Sequence, residues 1–264
     1  MADLFWRAAF SGLGVIVVLA VLTWLVSLAR RDVSIVDSLW SIFITTGGVV
    51  YALLLPWTSA RPALMLALAG AWALRLAIYI TWRNHGHGED RRYQQIRARN
   101  QPNFAFKSLY LIFGLQAVLA WIVSAPFLAA MVGTNPINAL DLVGAALAAF
   151  GILVEAVGDQ QMARFKADAA NQGQVMDHGL WRFSRHPNYF GECCTWWGLY
   201  LIALAAGGAW WSVISPLLMT VLLLKVSGVT LLEADIGERR PAYRDYIART
   251  PAFVPWWPRR KGGA

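Results

Sequence analysis

Seven apolar runs dominate this sequence, and each is long enough to cross a lipid bilayer. A transmembrane helix needs about 20 predominantly apolar residues. Only 14% of the residues are charged, whereas 58% are hydrophobic, which argues against a soluble globular chain. The sequence therefore predicts an all-α integral membrane protein, a bundle of about seven transmembrane helices near residues 8–29, 33–56, 62–82, 107–132, 137–163, 188–208 and 210–232.

Basic residues lie almost entirely in alternate connections between these runs. All but four of the 23 lysines and arginines fall at residues 30–31, in the 83–107 loop, in the 164–187 segment or after residue 232. Cytoplasmic segments carry such an excess of positive charge, so the N-terminus is predicted outside and the C-terminus in the cytoplasm. Topology thus accounts for the net charge of +8, and nucleic-acid binding is not expected.

Two ionisable residues stand inside the second and third runs. Asp37 falls about one turn inside the second span, where a carboxylate either stabilises the helix start or exchanges a proton with a bound substrate. Arg75 shares one face of the third span with Trp72 and Tyr79, and it requires a partner. A structural Asp37–Arg75 pair and a catalytic Asp37 both fit the sequence.

Metal ligands are not expected. Cys193 and Cys194 are adjacent, so on a helix they point about 100° apart and form neither a chelate nor an ordinary disulfide. His85 and His87 lie in a glycine-rich loop without further ligands at a recognised spacing. That loop is predicted to be solvated or to face phosphate groups.

The fifth run carries two carboxylates at its predicted cytoplasmic end. Glu155 and Asp159 are four residues apart and share one helix face, and Arg164 and Lys166 follow where the helix leaves the membrane. Carboxylates accept hydrogen bonds from hydroxyls and amides, while Arg and Lys bind phosphates. These residues predict either a ligand site or a salt-bridge network within the bundle.

The stretch GLWRFSRHPNYFGECCTWW, residues 179–197, brings polar and aromatic residues directly to the start of an apolar run. Ionisable groups near lipid are costly without partners or a ligand, so we interpret the stretch as one wall of a binding site. Its polar residues are Arg182, Arg185, His186, Asn188, Tyr189 and Glu192. The segment at 250–258 is predicted to be extended, fixed by prolines and located at the membrane interface.

This wall and the residues after the last span together resemble a known family. The motifs are Gly179-Leu180-Trp181, Arg185-His186-Pro187-Asn188-Tyr189-Phe190-Gly191-Glu192 and Trp196-Trp197-Gly198, followed by Glu233, Tyr243, Tyr246 and Pro255. They are similar to the C-terminal core of the membrane steroid 5α-reductase superfamily, and most of all to its bacterial branch, DUF1295. The resemblance implies a single domain over 1–264 in the bacterial inner membrane, with a cytoplasmic-side cofactor cavity and a specific core near 155–258.

The resemblance also implies which residues hold NADPH. Asn188 and Glu192 would contact the nicotinamide end, Trp196 would line the pocket, and Asp159, Arg164 and Lys166 would hold the ribose and phosphates. The other implied cofactor contacts are Trp181, Arg185, His186, Tyr189, Glu233, Tyr243 and Tyr246. No GxGxxG motif follows a strand, so the dinucleotide would be bound without a Rossmann fold.

The implied activity is NADPH-dependent reduction of a conjugated C=C bond in a lipophilic enone. Asp37 and Tyr79 are the candidate catalytic donors to the carbonyl oxygen. A 3-oxo-Δ4 steroid is one such substrate, although the steroid enzymes have a Gln-Glu pair where Asp37-Ser38 stand and a tyrosine near the position of Trp72. Apart from this substrate, membrane lipid is the expected partner, and the oligomeric state is left open.

Isoprenylcysteine carboxyl methyltransferases resemble the same C-terminal pattern, and they bind S-adenosylmethionine. NADPH is favoured because Arg164 and Lys166 suit a phosphate-bearing cofactor and because Asn188 and Glu192 are additional to the shared pattern. A scaffold or transporter is disfavoured, since the sequence shows no inverted repeat.

Overall fold

A computed structural model describes residues 2–226, 229, 233 and 242–259. This part of the chain contains helices and no strand, which confirms the predicted all-α class. The helices in chain order are α1 (Ala2–Arg30), α2 (Ile35–Leu54), α3 (Arg61–Asn84), α4 (Arg91–Arg99), α5 (Phe104–Val132), α6 (Ala139–Ala167), α7 (Pro187–Ala205), α8 (Trp210–Val226) and α9 (Ala242–Arg249).

Five helices of the described chain are long and apolar enough to cross a membrane, namely α1, α2, α3, α5 and α6. They coincide with the first five predicted spans. The sixth predicted span corresponds to α7, which opens with polar residues, and the seventh begins with α8, a shorter apolar helix. Part of the seventh span lies outside the described residues, so the count of seven stays a prediction.

Two compact units make up the fold. The first covers Met1–Leu142 and Leu199–Ser215, and the second covers Val143–Gly198 and Pro216–Ala264. In the first unit, α2 packs against α1, α3 and α5. Glycines make these contacts close, because a β-carbon at Gly12 would lie 2.4 Å from the Tyr51 ring and one at Gly47 would lie 2.9 Å from the Ser124 hydroxyl.

A buried ion pair joins the start of α3 to the start of α6 in the first unit. The Arg61 guanidinium donates to both carboxylate oxygens of Asp141, at 2.6 and 2.9 Å, and both side chains are fully buried. Its other N–H groups donate to the carbonyls of Asn135 and Pro136, each at 2.9 Å. Every charge in this joint is therefore paired, as burial requires.

Glycines also set the contact between α6 and α7 in the second unit. A β-carbon at Gly151 would lie 2.4 Å from the Gly191 carbonyl oxygen, and one at Gly198 would lie 2.5 Å from the backbone nitrogen of Ala148. Helices that meet through small residues bring their backbones together, as in membrane helix pairs. This contact fixes the register of the two helices that carry most of the candidate site.

Candidate functional site

The chain that enters α7 is fixed against the end of α6. Gly179 adopts a left-handed conformation (φ 59°), which lets the following N–H of Leu180 donate to the Gln161 side chain at 2.9 Å. The indole N–H of Trp181 donates to the Gly158 carbonyl at 3.0 Å. Trp181, predicted to contact the cofactor, is thus buried at this joint.

Arg185, His186 and Glu233 form one ionic cluster in the second unit. The Arg185 guanidinium donates to both oxygens of Glu233, at 2.7 and 2.8 Å, and His186 Nε2 lies 2.9 Å from Oε1 of the same carboxylate. The remaining terminal nitrogen of Arg185 donates to the carbonyls of Ile247 and Thr250, at 3.1 and 2.5 Å. Arg185 therefore connects the start of α7 with Glu233 and with the end of α9.

The electrostatics of Glu233 follow from these contacts. Burial raises the pKa of its carboxyl, but the hydrogen bonds from His186 and Arg185 outweigh burial and lower that pKa from its ordinary value of 4.5 to about 2. Glu233 is thus a carboxylate at any physiological pH. It accepts hydrogen bonds from Arg185 and His186, both of which are predicted cofactor contacts.

The three predicted tyrosines lie near this cluster. The buried Tyr246 hydroxyl donates to the Trp181 carbonyl, and burial raises the pKa of this phenol. Tyr243 packs edge-on against Tyr246, with ring centroids 5.2 Å apart. Tyr189 stacks on His186 at 5.6 Å with an interplanar angle of 2°.

A second group of predicted residues lies on facing sides of α6 and α7. Asp159 is 5% exposed, and its carboxylate accepts a hydrogen bond from the Asn188 amide nitrogen at 3.1 Å. Glu192 and Trp196 follow Asn188 at four-residue spacing on α7 and are 6% and 0% exposed. Glu155, one turn before Asp159, is also buried. The structure therefore brings the predicted nicotinamide residues together on one face of α7.

The amide oxygen of Asn188 is the notable atom of this face. It is buried, and no donor among the described residues reaches it. Buried polar atoms are nearly always hydrogen-bonded, so an acceptor of this kind indicates a donor supplied from outside the described chain. Asp159 fixes which way the amide points, because it accepts from the nitrogen side.

Arg164 and Lys166 lie in the last turn of α6 and are exposed. The structure therefore leaves Arg164 accessible to an anion, as the phosphate prediction requires.

Asp37 lies in the first unit, and two residues of the loop helix α4 engage it. Arg92 donates to one carboxylate oxygen at 2.7 Å and the Tyr93 hydroxyl donates to the other at 2.6 Å. Sequence reasoning missed both partners, since helical periodicity carries no information about which loop residues fold back onto a span. Tyr79 lies on α3, half-buried, with the Arg83 guanidinium 5.8 Å from its ring centroid.

Helix α4 is docked by a further charged pair. Arg97 donates to both oxygens of Glu89, at 2.7 and 2.8 Å, and the Val33 backbone N–H donates to the same carboxylate at 3.0 Å. Burial raises the pKa of Glu89, but these hydrogen bonds outweigh burial and lower it. Through Glu89, the start of α4 is therefore held against Val33, just before the helix that carries Asp37.

Comparison with known proteins places the chain in a family. Residues 23–250 match the family described as "Protein of unknown function (DUF1295)". The chain is 27% identical over 263 residues to "Uncharacterized protein C594.04c" of Schizosaccharomyces pombe (strain 972 / ATCC 24843), a match that covers 88% of this chain and 75% of the yeast protein. No solved structure matches significantly. Because the family match extends over most of its length, the chain belongs to the DUF1295 family.

Proposed function

We propose that this chain is an NADPH-dependent membrane reductase of a conjugated C=C bond in a lipophilic enone, and that it belongs to the steroid 5α-reductase superfamily. The proposal includes seven transmembrane helices in a bacterial inner membrane, with the N-terminus outside and the C-terminus in the cytoplasm. A lipophilic substrate would reach the protein from the surrounding lipid.

The buried amide oxygen of Asn188 carries the proposal. It needs a hydrogen-bond donor, and the carboxamide N–H₂ of nicotinamide is a donor of the required kind. Asp159 orients the Asn188 amide so that its oxygen is the atom offered to a ligand. The exposed Arg164, five residues further along α6, supplies positive charge for phosphates. These residues fit a nicotinamide dinucleotide.

NADPH, when bound, supplies the hydride that reduces the double bond. The protein must then stabilise charge on the carbonyl oxygen and provide a proton. Asp37 and Tyr79 remain the candidates for this role, and Tyr93 joins them because its hydroxyl is bonded to Asp37 at 2.6 Å. The phenol has a single proton and donates it to Asp37 in this structure, so Tyr93 would donate to a carbonyl oxygen only by turning that proton from Asp37 to the substrate, while Arg92 keeps the carboxylate paired.

Ligand-induced stabilisation tests the cofactor. The detergent-purified protein is titrated with NADPH, NADH and S-adenosylmethionine while its melting temperature is followed, and a ligand at 100 times its Kd adds about 2.7 kcal/mol of stability. We expect NADPH to raise the melting temperature most. Stabilisation by S-adenosylmethionine alone would establish the methyltransferase alternative, and no response to any of the three would favour a scaffold or transporter.

A variant pair then tests the site. Asn188→Leu removes the buried amide and should reduce the NADPH-dependent shift, whereas Gln160→Ala removes an exposed amide from the same helix pair and should leave it unchanged. Equal NADPH shifts in both variants would show that Asn188 does not contact the cofactor.

A further inference from the structure

The 250–259 segment, which follows α9, has a fixed backbone. The N–H of Arg185 donates to the Pro251 carbonyl, and the N–H of Trp256 donates to the Phe183 carbonyl, each at 2.9 Å. The Ser184 hydroxyl donates to the carbonyl of Phe253 at 2.7 Å. These three hydrogen bonds hold the segment alongside residues 183–185.

The same segment presents large apolar side chains outward. Val254, Trp256 and Trp257 are 61%, 71% and 70% exposed. Trp257 makes one edge-on contact with Phe183, at 5.2 Å between ring centroids. Three large exposed apolar side chains within four residues form an apolar patch, and such patches in proteins mark interaction surfaces.

The patch lies near the end of a span. Residues 183–185 begin two positions after Trp181, and Leu180 and Trp181 are hydrogen-bonded to Gln161 and Gly158 in the last turns of α6. Because α6 is apolar enough to cross a membrane, its end and the chain bonded to it reach the boundary between hydrocarbon and water. Tryptophan is enriched at that boundary, where its ring is apolar and its N–H remains wet.

Basic residues lie next to the patch in the sequence, and they indicate what it binds. Arg259 and Arg182 are exposed, and Arg260 and Lys261 follow in the sequence. Basic residues beside an interfacial patch attract anionic lipid headgroups. We propose that the 250–259 segment is a membrane anchor, in which Val254, Trp256 and Trp257 insert between lipid headgroups while Arg259 binds their phosphates.

Site-specific photocrosslinking tests the anchor. Benzoylphenylalanine replaces Trp256 or Trp257, a substitution of one exposed aromatic side chain by another, and the full chain is reconstituted in vesicles of phosphatidylcholine mixed with phosphatidylglycerol. The same probe at Gln172, an exposed polar position of the same unit, is the control, and the probe at the exposed span residue Leu153 marks full lipid contact. Mass spectrometry of the crosslinked protein identifies the adducts.

We expect lipid adducts at 256 and 257 several-fold above those at 172, enriched in phosphatidylglycerol. Arg259→Gln should lower the phosphatidylglycerol share without lowering total lipid adducts. Adduct yields at 256 and 257 equal to that at 172 would overturn the proposal, as would crosslinks to a second polypeptide in place of lipid.

Discussion

Replacing Gly151 with alanine probes the contact that holds the candidate site together. A β-carbon at this position would lie 2.4 Å from the Gly191 carbonyl oxygen, 2.5 Å from the backbone nitrogen of Thr195 and 2.6 Å from its hydroxyl. Two of these atoms belong to the backbone of α7, so no change of rotamer removes those overlaps. The two helices must move apart.

The cost can be worked from this geometry. Ordinary contact begins at 3.4 Å. The helices must therefore separate by about 1 Å, and overpacking of this kind costs about 1–3 kcal/mol. Gly70 of α3 provides the matched control, because nothing lies within 4 Å of its added β-carbon. Alanine is the better helix former, so Gly70→Ala should be neutral or stabilising by up to about 1 kcal/mol.

Thermal unfolding in detergent measures the difference. At about 2–4 °C per kcal/mol for a chain of this size, Gly151→Ala should melt several degrees below both the wild type and Gly70→Ala. The NADPH-dependent shift should fall as well, because separation of α6 from α7 pulls Asn188 away from Asp159. Equal melting temperatures for the two alanine variants would refute the reasoning.

Three further predictions concern charged and hydroxyl groups. Asp141→Asn leaves the fully buried Arg61 without its counter-ion and should lower the free energy of unfolding by about 3–5 kcal/mol. A loss no larger than that caused by an Asp→Asn change at an exposed position would contradict this prediction. Glu233 has a depressed pKa, so the stability it contributes is present above pH 4.5 and lost as pH falls towards 2. Melting curves of the wild type and Glu233→Gln should therefore converge over that window, and a constant gap would rule out the ionic role. Tyr93→Phe and Asp37→Asn should each lower reductase turnover by about 10²–10⁴-fold, whereas unchanged turnover per folded molecule would show that the pair only docks α4.

The helices were predictable because membrane insertion imposes a rule that is local in sequence. Each span must be apolar over a fixed length, and the five apolar helices of the described chain obey that rule. Span prediction is weaker for a helix that carries polar residues within its length. Pro187–Ala205 has 19 residues, but its first turns hold the polar residues of the candidate site, so it is not among the five apolar helices and its span stays a prediction.

The sequence predicts side-chain partners that are distant along the chain less well. The sequence offered Arg75 as a partner for Asp37, because both lie in predicted spans, whereas the structure places Arg92 and Tyr93 on that carboxylate. A loop contact depends on how the chain turns between α3 and α5, which no periodicity encodes. The glycine contacts of α6 show the opposite case, since glycines seven residues apart at 144, 151 and 158 signal a close helix pair.

The stretch that begins at Arg185 contains residues that hydrogen-bond to Glu233 and residues that face α6, and these two groups occupy different positions. Arg185 and His186 immediately precede α7 and hydrogen-bond to Glu233, so they hold this carboxylate in place. Asn188 and Glu192 lie four residues apart on one face of α7, and the Asn188 amide offers a buried acceptor without a described donor. Loss of Arg185, which hydrogen-bonds to Glu233 and to two carbonyls, should therefore lower the melting temperature of the ligand-free protein more than loss of the Asn188 amide, whereas only the latter should remove a contact to the cofactor. If both outcomes are observed, the motif predicted to be one binding site would divide into a structural half and a ligand half, and one titration of the two variants tests this division.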